Sequence, residues 1–458
     1  MMEKIIRYPK IVFYAFTVIL IGIIHFYIYD HFWFLKLLGL NIYSPKINYV
    51  FILPFFCIAI VYQMIISIKN NQLENISKTN RDLALWAFLY FITCIFVVIL
   101  HEADSDFLTM IKYSFYLSIP IVLSLSVFAI FRDNIKIKKA VFILFLVGIV
   151  FSVYATVLRT KIITDISASY NVFSFNGKTW VSSGTGEYLS RFSIPGLGPT
   201  NFPSMLVPLI FVGIYLFRSC NNKMRYVYLE STLFLFSNMI ITQTRGAFIS
   251  LSTGMLYLFM KGWFKCKKSF LVFLIVVQIM LIFIMSGQGL LTRLSLTGLQ
   301  FISSSAKGAS LVAFEEKAQH EGLGIDDIVE EKNRGLLFKH AIQHVNPIFG
   351  IGFSGISSHI MYVDVLTIGG IALFMPLIFF LFSVFYQNHK EISNNKDAFP
   401  KDLGIVLMAI SLSYIVDQMW MPAFVNNYWI WFGFAAAWAR NCEMGYRAPA
   451  KLSGAEAI

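Results

Sequence analysis

Leu83-Ala-Leu-Trp-Ala-Phe-Leu-Tyr-Phe-Ile-Thr-Cys-Ile-Phe-Val-Val-Ile-Leu100 runs for eighteen residues without a charge. Coiled at 1.5 Å per residue it reaches about 27 Å, close to the ~30 Å hydrocarbon core of a bilayer. Inside lipid each backbone N–H and C=O must find its partner within the segment, and a helix does that by itself. The same signature recurs along the chain, at about 11–29, 48–68, 107–131, 140–158, 203–217, 226–243, 246–260, 269–286, 361–386, 403–419 and 422–439. The expectation is an all-α polytopic membrane protein with about twelve transmembrane helices, forming a single membrane domain over 1–458.

Composition agrees. Hydrophobic residues make up 57% of the chain and charged residues 14%, where a soluble protein carries about 25% charge. The formal net charge is +12, from 37 basic and 25 acidic residues. No loop joins a long basic run to aromatics, so nucleic acid is excluded as a partner. The excess instead follows the rule that Lys and Arg gather in cytoplasmic loops. Lys69, Lys78 and Arg81 follow the second apolar run, and Arg132, Lys136, Lys138 and Lys139 the fourth. Arg218, Lys223 and Arg225 follow the sixth, and Lys261, Lys265, Lys267 and Lys268 the eighth. Lys390, Lys396 and Lys401 follow the tenth, and Arg440, Arg447 and Lys451 close the chain. Basic clusters at every second gap place both termini in the cytoplasm. The first run follows Lys4, Arg7 and Lys10 as a signal peptide would, yet it is span-length and no small-residue cleavage pattern follows, so it reads as a retained helix.

The remaining gaps face outward. Two are long, 159–202 and 287–360, and long loops in compact proteins are commonly functional. Cys57 and Cys94 fall in spans, while Cys220, Cys266 and Cys442 fall in loops assigned to the cytoplasm, so no disulfide ties the outer loops. No fixed-period repeat and no matched pair of Gly/Pro-broken spans appears, which argues against a transporter built from inverted repeats.

Four outward segments carry candidate chemistry. Ile241-Thr-Gln-Thr-Arg245-Gly-Ala247 makes a tight turn between the seventh and eighth spans, with Arg245 at the outer interface against the positive-inside trend. It is either an interfacial anchor or one half of an anion site. Tyr188-Leu-Ser-Arg191-Phe-Ser-Ile-Pro-Gly-Leu-Gly-Pro-Thr-Asn201-Phe-Pro203 sets Arg191 near a helix start capped by Asn201. A helix N-terminus beside a guanidinium suits phosphate; a plain re-entry turn is the alternative. In Asn333-Arg334-Gly-Leu-Leu-Phe338-Lys-His340-Ala341-Ile-Gln-His344-Val345-Asn-Pro347, Arg334 heads an apolar helical face, pointing to an anion or snorkelling at the helix end. His340 and His344 lie opposite and lack a zinc protease's glutamate, so they read as a solvated face rather than a metal site. Gly350-Ile-Gly-Phe-Ser-Gly-Ile-Ser-Ser-His359 forms a glycine-rich turn leading to His359 at the mouth of the tenth span. A neutral imidazole there is either structural or a base for a sugar hydroxyl.

In order and topology these segments resemble the O-antigen ligase and polymerase superfamily of bacterial membrane glycosyltransferases. The resemblance covers about 188–385: Arg191 and Asn201 before a span, Thr-Gln-Thr-Arg245-Gly-Ala, and a large outward loop. Next come Arg334-Gly-Leu-Leu-Phe, Asn346-Pro-Ile-Phe-Gly-Ile-Gly352, and His359 ahead of Leu366-Thr-Ile-Gly-Gly-Ile371. It implies a glycosyltransferase C-type fold in the bacterial inner membrane, with a periplasmic active site needing neither cofactor nor metal. The partners implied are an undecaprenyl-diphosphate-linked oligosaccharide, the lipid bilayer and a polysaccharide chain-length regulator. Arg191 and Arg245 would hold the donor diphosphate, Arg334 would line the cavity, and His359 would act as base or orient the acceptor hydroxyl. Polymerase, the favoured expectation, and ligase share donor and fold and differ in acceptor. A flippase would need charges along a central intramembrane path, and a metal-dependent transferase would use Glu102, Asp104 and Asp106.

Overall fold

The computed structural model describes residues 14, 16–22, 25, 78–102, 107–159, 201–241, 245–263, 346–352, 360–395, 397–419 and 426–445. Among these residues there are helices and no strand. In chain order they are α1 (Lys78–His101), α2 (Phe107–Ile130), α3 (Asn134–Arg159), α4 (Asn201–Ser219) and α5 (Met224–Ile241). Then follow α6 (Arg245–Met260), α7 (Met361–Asn394), α8 (Ala398–Asp417) and α9 (Asn426–Glu443). The described positions between residues 14 and 25 are helical as well, in line with the first apolar run. The runs expected at 48–68 and 269–286 lie outside the described residues, as does most of each long loop.

Six helices, α1 to α4, α7 and α8, are long and apolar enough to cross a bilayer. Their packing shows how a membrane bundle differs from a soluble one. On α1, Leu85, Phe88, Ile92, Phe96 and Ile99 stand at helical spacing and are exposed. Leu146, Val150 and Val153 do the same on α3, and Ile371, Met375, Phe379 and Phe382 on α7. Apolar stripes of this length facing outward suit hydrocarbon and would aggregate in water. α4 and α9 are instead apolar all round and sit in the centre, as such helices must. From Tyr428 to Ala439 nearly every α9 residue is buried, including Trp429, Trp431 and Trp438.

Hydrogen bonds sort the helix ends into two sets. At one end the Arg440 guanidinium donates to the carbonyls of Phe128 (2.7 Å) and Phe131 (2.9 Å). Asn441 donates to Phe131 and to Asn134. Two side chains of α9 thereby satisfy carbonyls left open where α2 stops, and a cation there complements the helix dipole. Arg218 pairs with Asp402 at 3.5 Å, and Gln387 donates to Asp82, at the same end. Cys442, expected in a closing loop, belongs to the last turn of α9, where amides of Asn134 and Asn395 reach its sulfur. At the opposite end gather the starts of α4, α6, α7 and α9 and the finish of α8. Between the two ends the interior is apolar, filled by residues such as Phe211, Leu377, Val406, Phe432 and Phe434.

α7 departs from a plain span in two ways. It continues past residue 386, carrying the buried polar residues Gln387, Asn388 and Glu391 within the helix. It is also broken. Gly370 sits at φ 60°, ψ −160°, and the helix bonds expected from Ile371 to Thr367 and from Ala372 to Ile368 are replaced. The strap Asn346–Gly352 inserts between them: Ile351 N–H donates to Thr367 O (2.8 Å) and Gly352 N–H to Ile368 O (3.0 Å). In return Ile371 N–H donates to Pro347 O (2.9 Å) and Ala372 N–H to Ile348 O (3.0 Å). Four backbone groups freed by the break are thus re-paired, as an interrupted helix in a membrane requires.

Candidate functional site

Where the sequence expects chemistry, the described residues converge on the end that holds the finish of α8. α5 stops at Ile241 and α6 starts at Arg245, so three residues, 242–244, join the two helices. Arg245 is the first residue of its helix. That is electrostatically the wrong place for a cation, because the helix dipole puts positive charge at the N-terminus, a penalty of about 0.3–1 kcal/mol. An anion reverses the sign: open N–H groups and a guanidinium then act on the same charge. α4 opens at Asn201, as expected, and contributes a second helix N-terminus to this end. The side chains of Asn201 and Arg245 are not among those described. Arg191, Arg334 and His359 lie outside the described residues; one residue, Ile360, separates His359 from Met361, where α7 begins.

What ties these helix starts together is a group the sequence reading passed over. Asp417, the last residue of α8, is 1% exposed. Ser250 of α6 donates to its Oδ1 at 3.0 Å and Tyr428 of α9 to its Oδ2 at 2.5 Å. The Ser204 hydroxyl of α4 also bonds it. Ser204 and Tyr428 belong to the first turns of their helices, so the carboxylate is surrounded by hydroxyl donors and positive dipole ends. Among the side chains that are described, no Lys or Arg pairs with it. The signal was present: a lone acidic residue near the end of an apolar run is expensive and marks function or a polar junction.

The ring around Asp417 fixes relative heights. Tyr414, three residues earlier, has its ring centroid 4.2 Å from that of Tyr428, the planes tilted by 53°, and donates to Ser204 O at 3.3 Å. Ser250 also lies 2.8 Å from Gly246 O, the residue after Arg245. Arg245 is thereby set five residues, about 7.5 Å along the helix, from the serine that holds Asp417. On the α7 side, Met361 N–H donates to Gln418 O (3.1 Å) and Tyr362 Oη to Ile415 O (3.0 Å). The residues just after His359 are thus tied to those just around Asp417.

The strap closes the site from the α1 side. His101, the last residue of α1, has Nε2 2.8 Å from Phe349 O, and Phe96 and Phe349 rings lie 5.5 Å apart. Asn346 Oδ1 accepts from the N–H groups of Ile348 (3.0 Å) and Phe349 (3.2 Å), forming the turn that starts the strap. Among the described residues no group of three or more His, Cys, Asp or Glu side chains is arranged to hold a metal ion. Of the acidic trio Glu102, Asp104 and Asp106, only Glu102 is described.

Asp417→Leu is expected to leave three hydroxyls facing an apolar side chain in a buried position, each costing about 1–3 kcal/mol. The folded fraction recovered from detergent gel filtration should collapse, whereas Asp417→Asn, which keeps one acceptor, should lose less. Equal recovery of wild type and the leucine variant would show that the junction does not hold these helices. No family model and no curated protein sequence matches the chain.

Proposed function

We propose that the chain is a polymerase of O-antigen or a related surface polysaccharide in the bacterial inner membrane. It transfers a glycan from an undecaprenyl-diphosphate donor to a sugar hydroxyl of another lipid-linked repeat. The observation that carries the proposal is Arg245 at the head of α6, at the end of the bundle where α4 also starts. A cation at a helix N-terminus makes sense when a multiply charged anion binds there, and a diphosphate is such an anion. The described basic residues Arg132, Lys136, Arg218, Lys223, Arg225, Lys261 and Lys401 belong to the opposite end, which by the positive-inside rule is cytoplasmic. The Arg245 end then faces the periplasm.

In this reaction the acceptor oxygen forms a bond to the anomeric carbon while the bond to the diphosphate oxygen breaks. The diphosphate leaves with the electron pair, and negative charge grows on it. Arg245, with Arg191, stabilises that charge. Arg334 is assigned, by the family resemblance, to the same binding site. His359 takes the proton of the attacking hydroxyl. Displacement from the opposite face inverts the anomeric centre, and no metal is required. The apolar middle of the bundle weighs against a translocation path for a charged glycan.

Deleting the gene and resolving lipopolysaccharide on a gel tests the proposal. A polymerase deletion leaves lipid A–core carrying a single repeat. Bare core with lipid-linked polymer accumulating would assign the chain as the ligase. An unchanged ladder, with no other surface glycan lost, would remove both.

A further inference from the structure

We propose that Gln418 is a glycan-reading residue of this site, binding sugar hydroxyls rather than the diphosphate; the inference rests on the glycan-transfer reading. Gln418 is 1% exposed, yet among the described residues neither its Nε2 nor its Oε1 has a hydrogen-bond partner. A buried carboxamide with both groups unpaired is costly, and such groups are nearly always satisfied by protein, water or ligand. Its backbone is fully engaged: the N–H donates to Tyr414 O (3.0 Å) and the carbonyl accepts from Met361 N–H (3.1 Å). The residue is therefore fixed in place while its side chain is left with work to do.

Its position is defined by its neighbours in the fold. Gln418 keeps helical geometry (φ −62°, ψ −13°), so it continues the face of α8 that carries Tyr414. Tyr414 bonds to Ser204 of α4, and α4 and α8 run in opposite directions. One turn beyond Tyr414 therefore lies level with the head of α4. The Met361 contact sets the same residue beside the chain that leads from His359. The carboxamide thus belongs to the end of the bundle where the donor and acceptor would meet. It is covered in this structure, so binding displaces what covers it.

The ligand class follows from what is unpaired. One group is a donor and the other an acceptor. Phosphate oxygens only accept, so a diphosphate would leave Oε1 unpaired, and the preceding residue is Asp417, whose carboxylate repels an anion. A hydroxyl both donates and accepts, and two neighbouring hydroxyls on one sugar ring satisfy both groups of the carboxamide. A neutral polyhydroxyl ligand fits.

The test compares wild type, Gln418→Met and Arg245→Ala in nanodiscs, using lipid-linked repeat units extracted from the host as substrate. Gln418→Met keeps length and removes both polar groups. Its melting temperature should be unchanged or higher, its KM for the lipid-linked repeat about tenfold higher, and its inhibition by inorganic pyrophosphate unchanged. Three results would each overturn the inference: an unaltered KM, a melting temperature that falls, or altered pyrophosphate inhibition, which would put Gln418 on the diphosphate. Wild-type protein that transfers nothing, or Arg245→Ala that transfers normally, sinks the glycan-transfer reading and this inference with it. Wild-type transfer, lost in Arg245→Ala but unaltered in Gln418→Met, sinks this inference alone.

Discussion

Arg245→Ala is expected to lower glycan transfer about a hundred- to a thousand-fold, the loss seen when one preorganised donor to a developing negative charge is removed. The protein should nevertheless insert and melt at the same temperature or slightly above it. That combination follows from the position of the residue. As the first residue of α6 it sits at the positive end of a helix dipole, where a cation is unfavourable by about 0.3–1 kcal/mol. A purely structural arginine would be stabilising, and its loss would lower stability together with activity. A residue retained for an anion destabilises the empty site and is needed in the transition state. Arg245→Lys keeps the charge but not the planar fork, so it should recover only part of the rate. His359→Ala should also remove at least about a hundredfold of the rate, with its loss greatest where a neutral imidazole is required as base. The measurement is the initial transfer rate in membranes carrying equal amounts of inserted protein. Full rates in Arg245→Ala and His359→Ala together would remove the site.

The apolar runs were legible because a membrane helix needs little more than about twenty apolar residues, and α1, α2, α3, α4 and α8 lie where those runs lie. The shortness of the link between α5 and α6 was legible for a similar reason: the two apolar runs stand only a few residues apart. Pairings distant in sequence were not legible. Asp417 looks like the frayed end of a span; its meaning comes from Ser204, Ser250 and Tyr428, each on a different helix. The extension of α7 was missed because Gln387, Asn388, Lys390 and Glu391 resemble a loop by polarity, while Gln387, Asn388 and Glu391 are buried in the helix. The break at Gly370 was missed because Gly369-Gly370 is tolerated in a membrane helix. Only the strap some twenty residues earlier tells that the ladder is open. Of the five candidate residues, Asn201 heads a helix where the sequence places a helix start, and Arg245, read as part of the turn before a span, is the first residue of that span's helix. Arg191, Arg334 and His359 belong to segments whose order and charge were readable and whose geometry is not described.

Gly370→Ala is expected to be severely damaging for so small a substitution. At φ 60°, ψ −160° the residue occupies a region open essentially to glycine, at about 1–3 kcal/mol for any other residue. A methyl group there would also run into the carbonyl of Ile348 and the amide of Phe349, both backbone atoms of the strap. Backbone cannot rotate aside as a side chain can. To make room the strap must leave, and Ile371, Ala372, Thr367 and Ile368 then lose their partners at one stroke. Gly262→Ala separates the two effects. Its φ is also positive, at 68°, but nothing lies within 4 Å of an added Cβ, so it carries backbone strain alone. Thermal melts in detergent should show a modest drop for Gly262→Ala and a loss of at least about 3 kcal/mol, or no folded protein, for Gly370→Ala. In any Gly370→Ala protein that survives, proteases should cut near Asn346–Gly352 faster than in wild type. Equal melting points for the two variants would mean that the strap is not clamped in the helix. The consequence reaches the site, because the strap and the start of α7 bracket His359 in sequence. A strap inserted into the helix ladder fixes one side of that segment, and the Met361–Gln418 bond fixes the other. Gly370→Ala should therefore cost transfer activity through the position of His359 even though residue 370 carries no side chain to bind a substrate.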